Sequence, residues 1–260
     1  MLGVAMRGVA ARAFSGLFAL SWLVLPGFGV IDLSVTWNAD WPQVLEAGWG
    51  LFATVIVAAA FVLLAVRPRA AMAGTAQLLV ATLCLAVSAV AANETRLFVL
   101  VALLGLQTAI VGGLGEAWRE RIEPLHPLSQ FSRSLFLVAV AAAVPWLSYA
   151  LHMWQLNREN RSDGDVSLGI DHYSVQGALA LALVVLPVSA ALRVSLRPFV
   201  PVCAGIAAFY LGVVSLAWPE AAGGLGRAWS IAATAWGLVL LVATFSHRIR
   251  VVPLGERPAD

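Results

Sequence analysis

The stretch at residues 175–193, VQGALALALVVLPVSAALR, contains no charged residue before its final arginine. It is long enough to cross the hydrocarbon core of a bilayer as an α-helix, which takes roughly 20 residues. Further apolar runs of similar length occur along the chain, and together they predict eight transmembrane helices. The predicted spans cover residues 13–31, 47–66, 71–91, 97–115, 135–155, 175–193, 200–218 and 228–245.

The composition supports the same class of protein. Hydrophobic residues make up 61% of the chain, charged residues make up 12%, and the mean hydropathy is +0.88. Soluble domains carry about 25% charged residues, so we predict an all-α, polytopic integral membrane bundle. Eight spans occupy about 160 residues, which leaves no room for a soluble domain, and residues 1–260 are therefore predicted to form a single transmembrane domain.

All 16 basic residues are arginines, which we interpret as the codon bias of a GC-rich bacterial genome. Because lysine is absent, no Schiff base to retinal or to pyridoxal phosphate can form on this chain. Arginine is enriched in cytoplasmic loops, and an amino terminus on the inside assigns 12 arginines to the cytoplasm and 4 to the outside. The inside set is Arg7, Arg12, Arg67, Arg69, Arg119, Arg121, Arg133, Arg193, Arg197, Arg248, Arg250 and Arg257. We therefore predict a bacterial plasma-membrane protein with both termini in the cytoplasm.

Two further patterns bear on the organisation of the chain. Arg7 and Arg12 precede the first apolar run as in a secretory signal, but no small-x-small cleavage site follows, so this run is predicted to be an uncleaved span. The pair Arg67-Pro68 recurs as Arg197-Pro198, 197 − 67 = 130 residues later, which is half the chain. This spacing is compatible with two four-span halves in parallel orientation.

Ionisable residues are absent from the centres of the predicted spans, which disfavours a pump or a proton-driven antiporter. Uncharged polar residues within spans are predicted to form hydrogen bonds between helices; they are Gln77, Thr82, Gln107, Thr108, Tyr210 and Thr234. Prolines within spans, including Pro145, are expected to kink a helix or to open room for a ligand. The inner loop at 116–134 has the composition of a short helix lying in the membrane interface.

The predicted outer face is rich in acidic residues and in tryptophans near span ends, namely Trp37, Trp41, Trp49, Trp154, Trp218 and Trp229. One interpretation is an interfacial aromatic belt with solvated acidic loops, and the other is a binding site on the outer face. The candidate ligand-binding residues on this face are Asp32, Trp37, Trp41, His152, Asp171, His172 and Tyr173. Both interpretations stay open at the level of sequence.

The segment GIDHYSVQGA, residues 169–178, places three polar side chains at the start of a span. As a helix start, Asp171 or Ser174 can cap the span and Tyr173 can anchor it at the interface. As a site, Asp171 and His172 are candidate catalytic residues, although neighbours on a helix point about 100° apart and so cannot form a simple dyad. His152 and His172 with Asp171 or Asp32 carry suitable metal donors but no diagnostic spacing, and no metal site or cofactor is predicted.

No sequence motif identifies a family or a soluble-enzyme site. The favoured function is a non-catalytic accessory, assembly or small-molecule-handling component whose polar face lies outside. The alternative is a membrane-embedded enzyme acting on lipid-linked or envelope substrates at the outer leaflet, and the third is a facilitative transporter of a neutral solute. The expected partners are the lipid bilayer, a lipid-linked or small-molecule ligand and other membrane proteins, and no nucleic acid is expected.

Overall fold

The computed structural model describes residues 2–67, 70–114, 131–159 and 166–249, and this part of the chain forms ten helices and one short hairpin. The hairpin pairs β1 (Val166–Ser167) with β2 (Ile170–Asp171). The helices are α1 (Leu2–Leu23), α2 (Gly29–Val35), α3 (Gln43–Val66), α4 (Ala71–Ala91), α5 (Leu97–Leu114), α6 (Arg133–Ala141), α7 (Ala143–Arg158), α8 (His172–Leu192), α9 (Val200–Ala217) and α10 (Gly226–Ile249).

Six of the described helices are long and apolar enough to cross a membrane, namely α3, α4, α5, α8, α9 and the segment Gly226–Phe245 of α10. The bent pair α6 and α7 makes a seventh if it counts as one span. The prediction of an all-α chain is thus confirmed, and six or seven of the described helices are apolar enough to span a membrane, whereas eight spans were predicted. The predicted inner-loop helix at 116–134 falls largely outside the described residues.

The boundaries predicted for the first span, 13–31, are wrong. Helix α1 ends at Leu23, and the chain turns before α2 begins at Gly29. Pro26 lies in this turn, and a proline has no N–H group for a helical hydrogen bond. Phe28, which precedes α2, adopts a left-handed conformation with φ of 55°. The apolar run at residues 13–31 therefore contains the end of α1 and the start of α2 and is not one continuous helix.

Hydrogen bonds between helices involve two of the predicted intramembrane polar residues. Gln77 Nε2 donates to Ile56 O over 2.8 Å, within the π-helical segment Phe52–Ala58 of α3. Gln107 Oε1 accepts from Trp22 Nε1 over 2.7 Å. The prediction is confirmed for these two residues. Tyr210 OH accepts instead from Trp37 Nε1, over 3.0 Å, in the turn that follows α2. The prediction is wrong for three threonines, which donate to carbonyls of their own helix four residues earlier: Thr82, Thr108 and Thr234.

Helix α8 lies at the centre of the bundle and contacts α3, α4, α6, α7 and α9. Helices α9 and α10 pack closely because glycines line their contact. A Cβ added at Gly212 would lie 2.5 Å from Thr234 Oγ1, and one added at Gly237 would lie 2.6 Å from Phe209 N. Small residues that allow backbones to approach are typical of helix packing in membranes.

A bend of 41° separates α6 from α7. It lies at Ala142, three residues before Pro145, which has no N–H group to donate to Ala141 O. On the α6 side of the bend, Trp236 Nε1 donates to Val138 O over 2.8 Å. Helix α6 contacts both α8 and α10, whereas α7 packs mainly along α8. Helices α7 and α10 therefore diverge on the α7 side of the bend, which we call above the bend. The expectation that Pro145 kinks a span and opens room is confirmed.

Candidate functional site

The segment at residues 169–178 begins in the hairpin and continues into α8. Gly169 has φ of 73°, which glycine adopts without strain, and its carbonyl accepts from Arg96 Nη1 over 2.7 Å. Asp171 Oδ1 accepts from Tyr173 N over 3.0 Å, so Asp171 is the N-cap of α8. The prediction that Asp171 caps this helix is confirmed. Ser174 has a different role, because its hydroxyl donates back to Asp171 O over 2.8 Å.

His172 is buried in the core, with 1% of its surface exposed. Its ring stacks on Trp49 with centroids 4.5 Å apart and an interplanar angle of 27°. Trp49 is held in turn by a hydrogen bond from Nε1 to Gly27 O over 2.8 Å. Tyr173 is buried as well, so the prediction that it anchors at the interface is wrong. Its position follows from the central place of α8, whose first turn is covered by neighbouring helices.

The aromatic belt predicted for the outer face is formed only in part. Trp37, Trp41 and Trp229 are about half exposed, as a belt requires. Trp49 and Trp154 are instead buried, and Trp154 Nε1 donates to Ser88 Oγ over 2.6 Å. These two indoles pack against protein and not against lipid headgroups.

Of the four polar residues considered for one outer site, three are buried and one is exposed. Asp32 is buried in α2, Asp171 caps α8 and His172 stacks on Trp49. His152 is exposed on α7 and lines a large cavity that none of the other three residues lines. Within the described ranges, no three His, Cys, Asp or Glu side chains could hold a metal ion. The alternative donor set of His152 and His172 with Asp171 or Asp32 is therefore not brought together.

The cavity lined by His152 has a volume of about 720 Å³ and lies between α7 and α10, above the bend. We term it the α7–α10 cavity. Its walls come from the end of α6, from α7, from the loop before α10 and from α10 itself, and they include Trp146, Tyr149, His152, Gly224, Trp229 and Trp236. Ala141, Ala142 and Ala233 line it as well. The lining is mainly aromatic and small apolar, and the hydroxyl of Ser148 and the imidazole of His152 add polar groups on α7.

Tyr149 links this cavity to the centre of the bundle. Its hydroxyl donates to Gly223 O and accepts from Gln176 Nε2, the latter over 2.7 Å. The first contact fixes the loop before α10. Gly223 in this loop and Gly226, the first residue of α10, have positive φ values of 73° and 70°. Gln176 Oε1 fills the space beside Gly48, where an added Cβ would lie 1.3 Å from it. A hydrogen bond therefore connects the cavity wall to α8, and the Gln176 side chain packs in turn against Gly48 of α3.

Sequence reasoning missed Trp146, Tyr149 and Trp236 as residues of a site. Their spacing carried a signal, because Trp146, Tyr149 and His152 lie three residues apart on α7 and so lie close to one helix face. Trp229 and Trp236 share a face of α10 for the same reason, since seven residues make about two turns. Both patterns were obscured by the general apolarity of the spans.

No protein-family model, curated protein or solved structure matches this chain. The candidate site therefore rests on the geometry of the bundle and on the chemistry of the residues that line the cavity.

Proposed function

We propose that this protein binds an amphipathic small molecule in the α7–α10 cavity and serves as a non-catalytic, small-molecule-handling component of a bacterial plasma membrane. The observation that carries the proposal is the cavity of about 720 Å³ above the bend. This volume lies within the range of about 300–1,000 Å³ that is typical of ligand pockets, and such pockets are mostly apolar with a few polar groups.

The lining residues favour a ligand with an apolar body and one polar end. Trp146, Trp229 and Trp236 offer large flat surfaces to a chain or ring system. His152 and Ser148 lie four residues apart on α7 and offer hydrogen-bonding groups to a polar end. A lipid or lipid-linked molecule of the outer leaflet has such an apolar body and such a polar end.

In the proposed topology the chain crosses the membrane eight times with both termini in the cytoplasm. The crossings are α1, the six apolar helices and the bent pair α6–α7. The arginine distribution of 12 inside and 4 outside supports this arrangement. The α7–α10 cavity then lies in the outer half of the membrane.

The proposed topology can be tested with single cysteines at Thr95 and Pro198. Thr95→Cys should react with a membrane-impermeant thiol reagent in intact cells, whereas Pro198→Cys should react only after the cells are opened. Both positions are exposed, and the native Cys84 and Cys203 are buried, so they contribute little background. Equal labelling of the two positions in intact cells would exclude this topology.

The binding function can be tested by photo-crosslinking in vesicles of phosphatidylethanolamine that contain a diazirine-bearing phosphatidylethanolamine as the probe. Crosslinks should concentrate on residues 141–152 and 229–236. Ala232→Phe should reduce their yield several-fold because it fills the cavity with an aromatic ring. Ala235→Phe is the matched control, since Ala235 is exposed on the same helix and does not line the cavity. Labelling spread evenly over all exposed helix faces would show a general lipid coat and would contradict the proposal.

One observation favours a membrane-embedded enzyme as the second candidate. Ser148 and His152 share a face of α7 within the cavity, and a serine beside a histidine base is the minimal arrangement for nucleophilic attack on an ester. Among the residues that the structure describes, no acidic side chain lines the cavity to orient the histidine. Ser148→Ala would abolish turnover of a lipid-linked substrate in an enzyme and would leave probe binding intact in a binding protein.

A further inference from the structure

A second groove lies between α4 and α8, at the ends that the proposed topology assigns to the cytoplasmic side. It has a volume of about 350 Å³. We term it the α4–α8 groove. Its walls are mainly apolar and include Leu79 and Val80 on α4 and Leu186 and Leu192 on α8, and Gln77 and Ser189 are uncharged polar residues among them. Arg193, the residue that follows α8, also lines this groove.

Two arginines near the end of α8 have different surroundings. Arg197 donates through Nε to Ala190 O over 3.3 Å and through Nη2 to Ala191 O over 3.2 Å, so it caps the last carbonyls of α8. The guanidinium of Arg193 makes no hydrogen bond or ion pair with any residue in the described ranges. Arg193 is partly exposed, and its cation is thus available to a ligand at the groove.

The dimensions of the groove match one end of a phospholipid. From Leu186 to Leu192 the helix rises about 9 Å, which is the depth of the first part of an acyl chain below the headgroup. The inner leaflet of a bacterial membrane carries anionic headgroups, and guanidinium groups bind phosphates through strong, charge-assisted hydrogen bonds.

We infer that the α4–α8 groove binds one anionic phospholipid of the inner leaflet, with an acyl chain along Val80 and Leu186 and the phosphate on Arg193. This site is separate from the α7–α10 cavity and differs from it in chemistry, because that cavity contains a histidine and no arginine. The lipid would join α4 to the end of α8 at a point where the helices leave a gap.

The test is lipid retention by the full-length protein, measured by native mass spectrometry after incubation with an equimolar mixture of phosphatidylglycerol and phosphatidylcholine. The wild-type protein should retain about five times more phosphatidylglycerol than phosphatidylcholine, as expected for one arginine near an anionic lipid. Arg193→Gln should abolish this preference and Arg193→Lys should keep part of it.

Two control variants separate a site from general charge attraction. Arg12→Gln removes an exposed arginine of α1 on the same predicted face and should keep the preference. Arg197→Gln should lower the melting temperature through loss of the helix cap and should also keep the preference. An equal loss in Arg12→Gln and Arg193→Gln would overturn the inference.

A second measurement on the wild-type protein does not depend on the folding of any variant. Phosphatidylglycerol with a photoactivatable acyl chain should crosslink to residues 76–80 and 186–192. Crosslinks at other helices without these segments would overturn the inference, as would an absence of any preference for the anionic lipid.

Discussion

Gly237→Leu is expected to lower the free energy of unfolding by about 3 kcal/mol, because overpacking forces the backbones of α9 and α10 apart. A Cβ at position 237 would lie 2.6 Å from Phe209 N and 2.7 Å from Gly205 O. Both of these atoms belong to the backbone of α9, so the contact cannot be relieved by a change of rotamer. The measurement is the unfolding free energy in mixed detergent micelles, together with the melting temperature.

Gly113→Leu is the matched control for this substitution. Gly113 lies in α5, and a Cβ added there meets no atom within 4 Å. The control gains the same side chain and the same reduction in backbone freedom, so a small effect at Gly113 and a large effect at Gly237 would isolate the helix contact. Similar stabilities for the two variants would show that α9 and α10 do not pack as described.

The two histidine candidates, His152 and His172, should respond differently to substitution by alanine. His172→Ala is expected to reduce the free energy of unfolding by about 2 to 3 kcal/mol, because it removes an aromatic ring from a buried stack on Trp49. His172→Phe preserves the stack and should recover most of this loss. His152→Ala should leave the melting temperature unchanged, since His152 is exposed, and should weaken crosslinking at the α7–α10 cavity.

The measurement compares the melting temperature with crosslinking yield for each histidine variant. A stable His172→Ala protein that has lost its cellular function would place His172 in a working site and not in the core. A destabilised His152→Ala protein would show that His152 supports the fold and would remove it from the proposed site.

Hydropathy was sufficient to locate most of the long apolar helices. The predicted spans 71–91 and 97–115 match α4 and α5 within one residue, because an apolar run of that length has no other way to satisfy its backbone in a bilayer. The first span was mislocated because hydropathy does not register Pro26 as a break. The capping role of Asp171 was predictable, because a helix start leaves amide groups that an adjacent carboxylate can accept.

The candidate site was harder to predict than the spans. Trp49 and Trp154 were assigned to the interface because they occur near span ends, yet they pack in the core. Sequence position along a helix does not tell which face meets protein and which meets lipid, since both environments are apolar. The α7–α10 cavity depends on the divergence of two helices that are distant in sequence. The signals for it were the proline at position 145 and the spacing of the aromatic residues on α7 and α10.

The bend between α6 and α7 also determines how a ligand would reach its site. Val144 and Trp229 at the cavity are largely exposed on faces that would meet hydrocarbon. A ligand would therefore enter sideways from the leaflet after partitioning into it, and its occupancy would follow its mole fraction in the lipid. Two such ligands that make equal contacts with the protein would differ in apparent potency in proportion to their partition coefficients. Adding empty vesicles would lower the occupancy of the site even at a constant total amount of ligand.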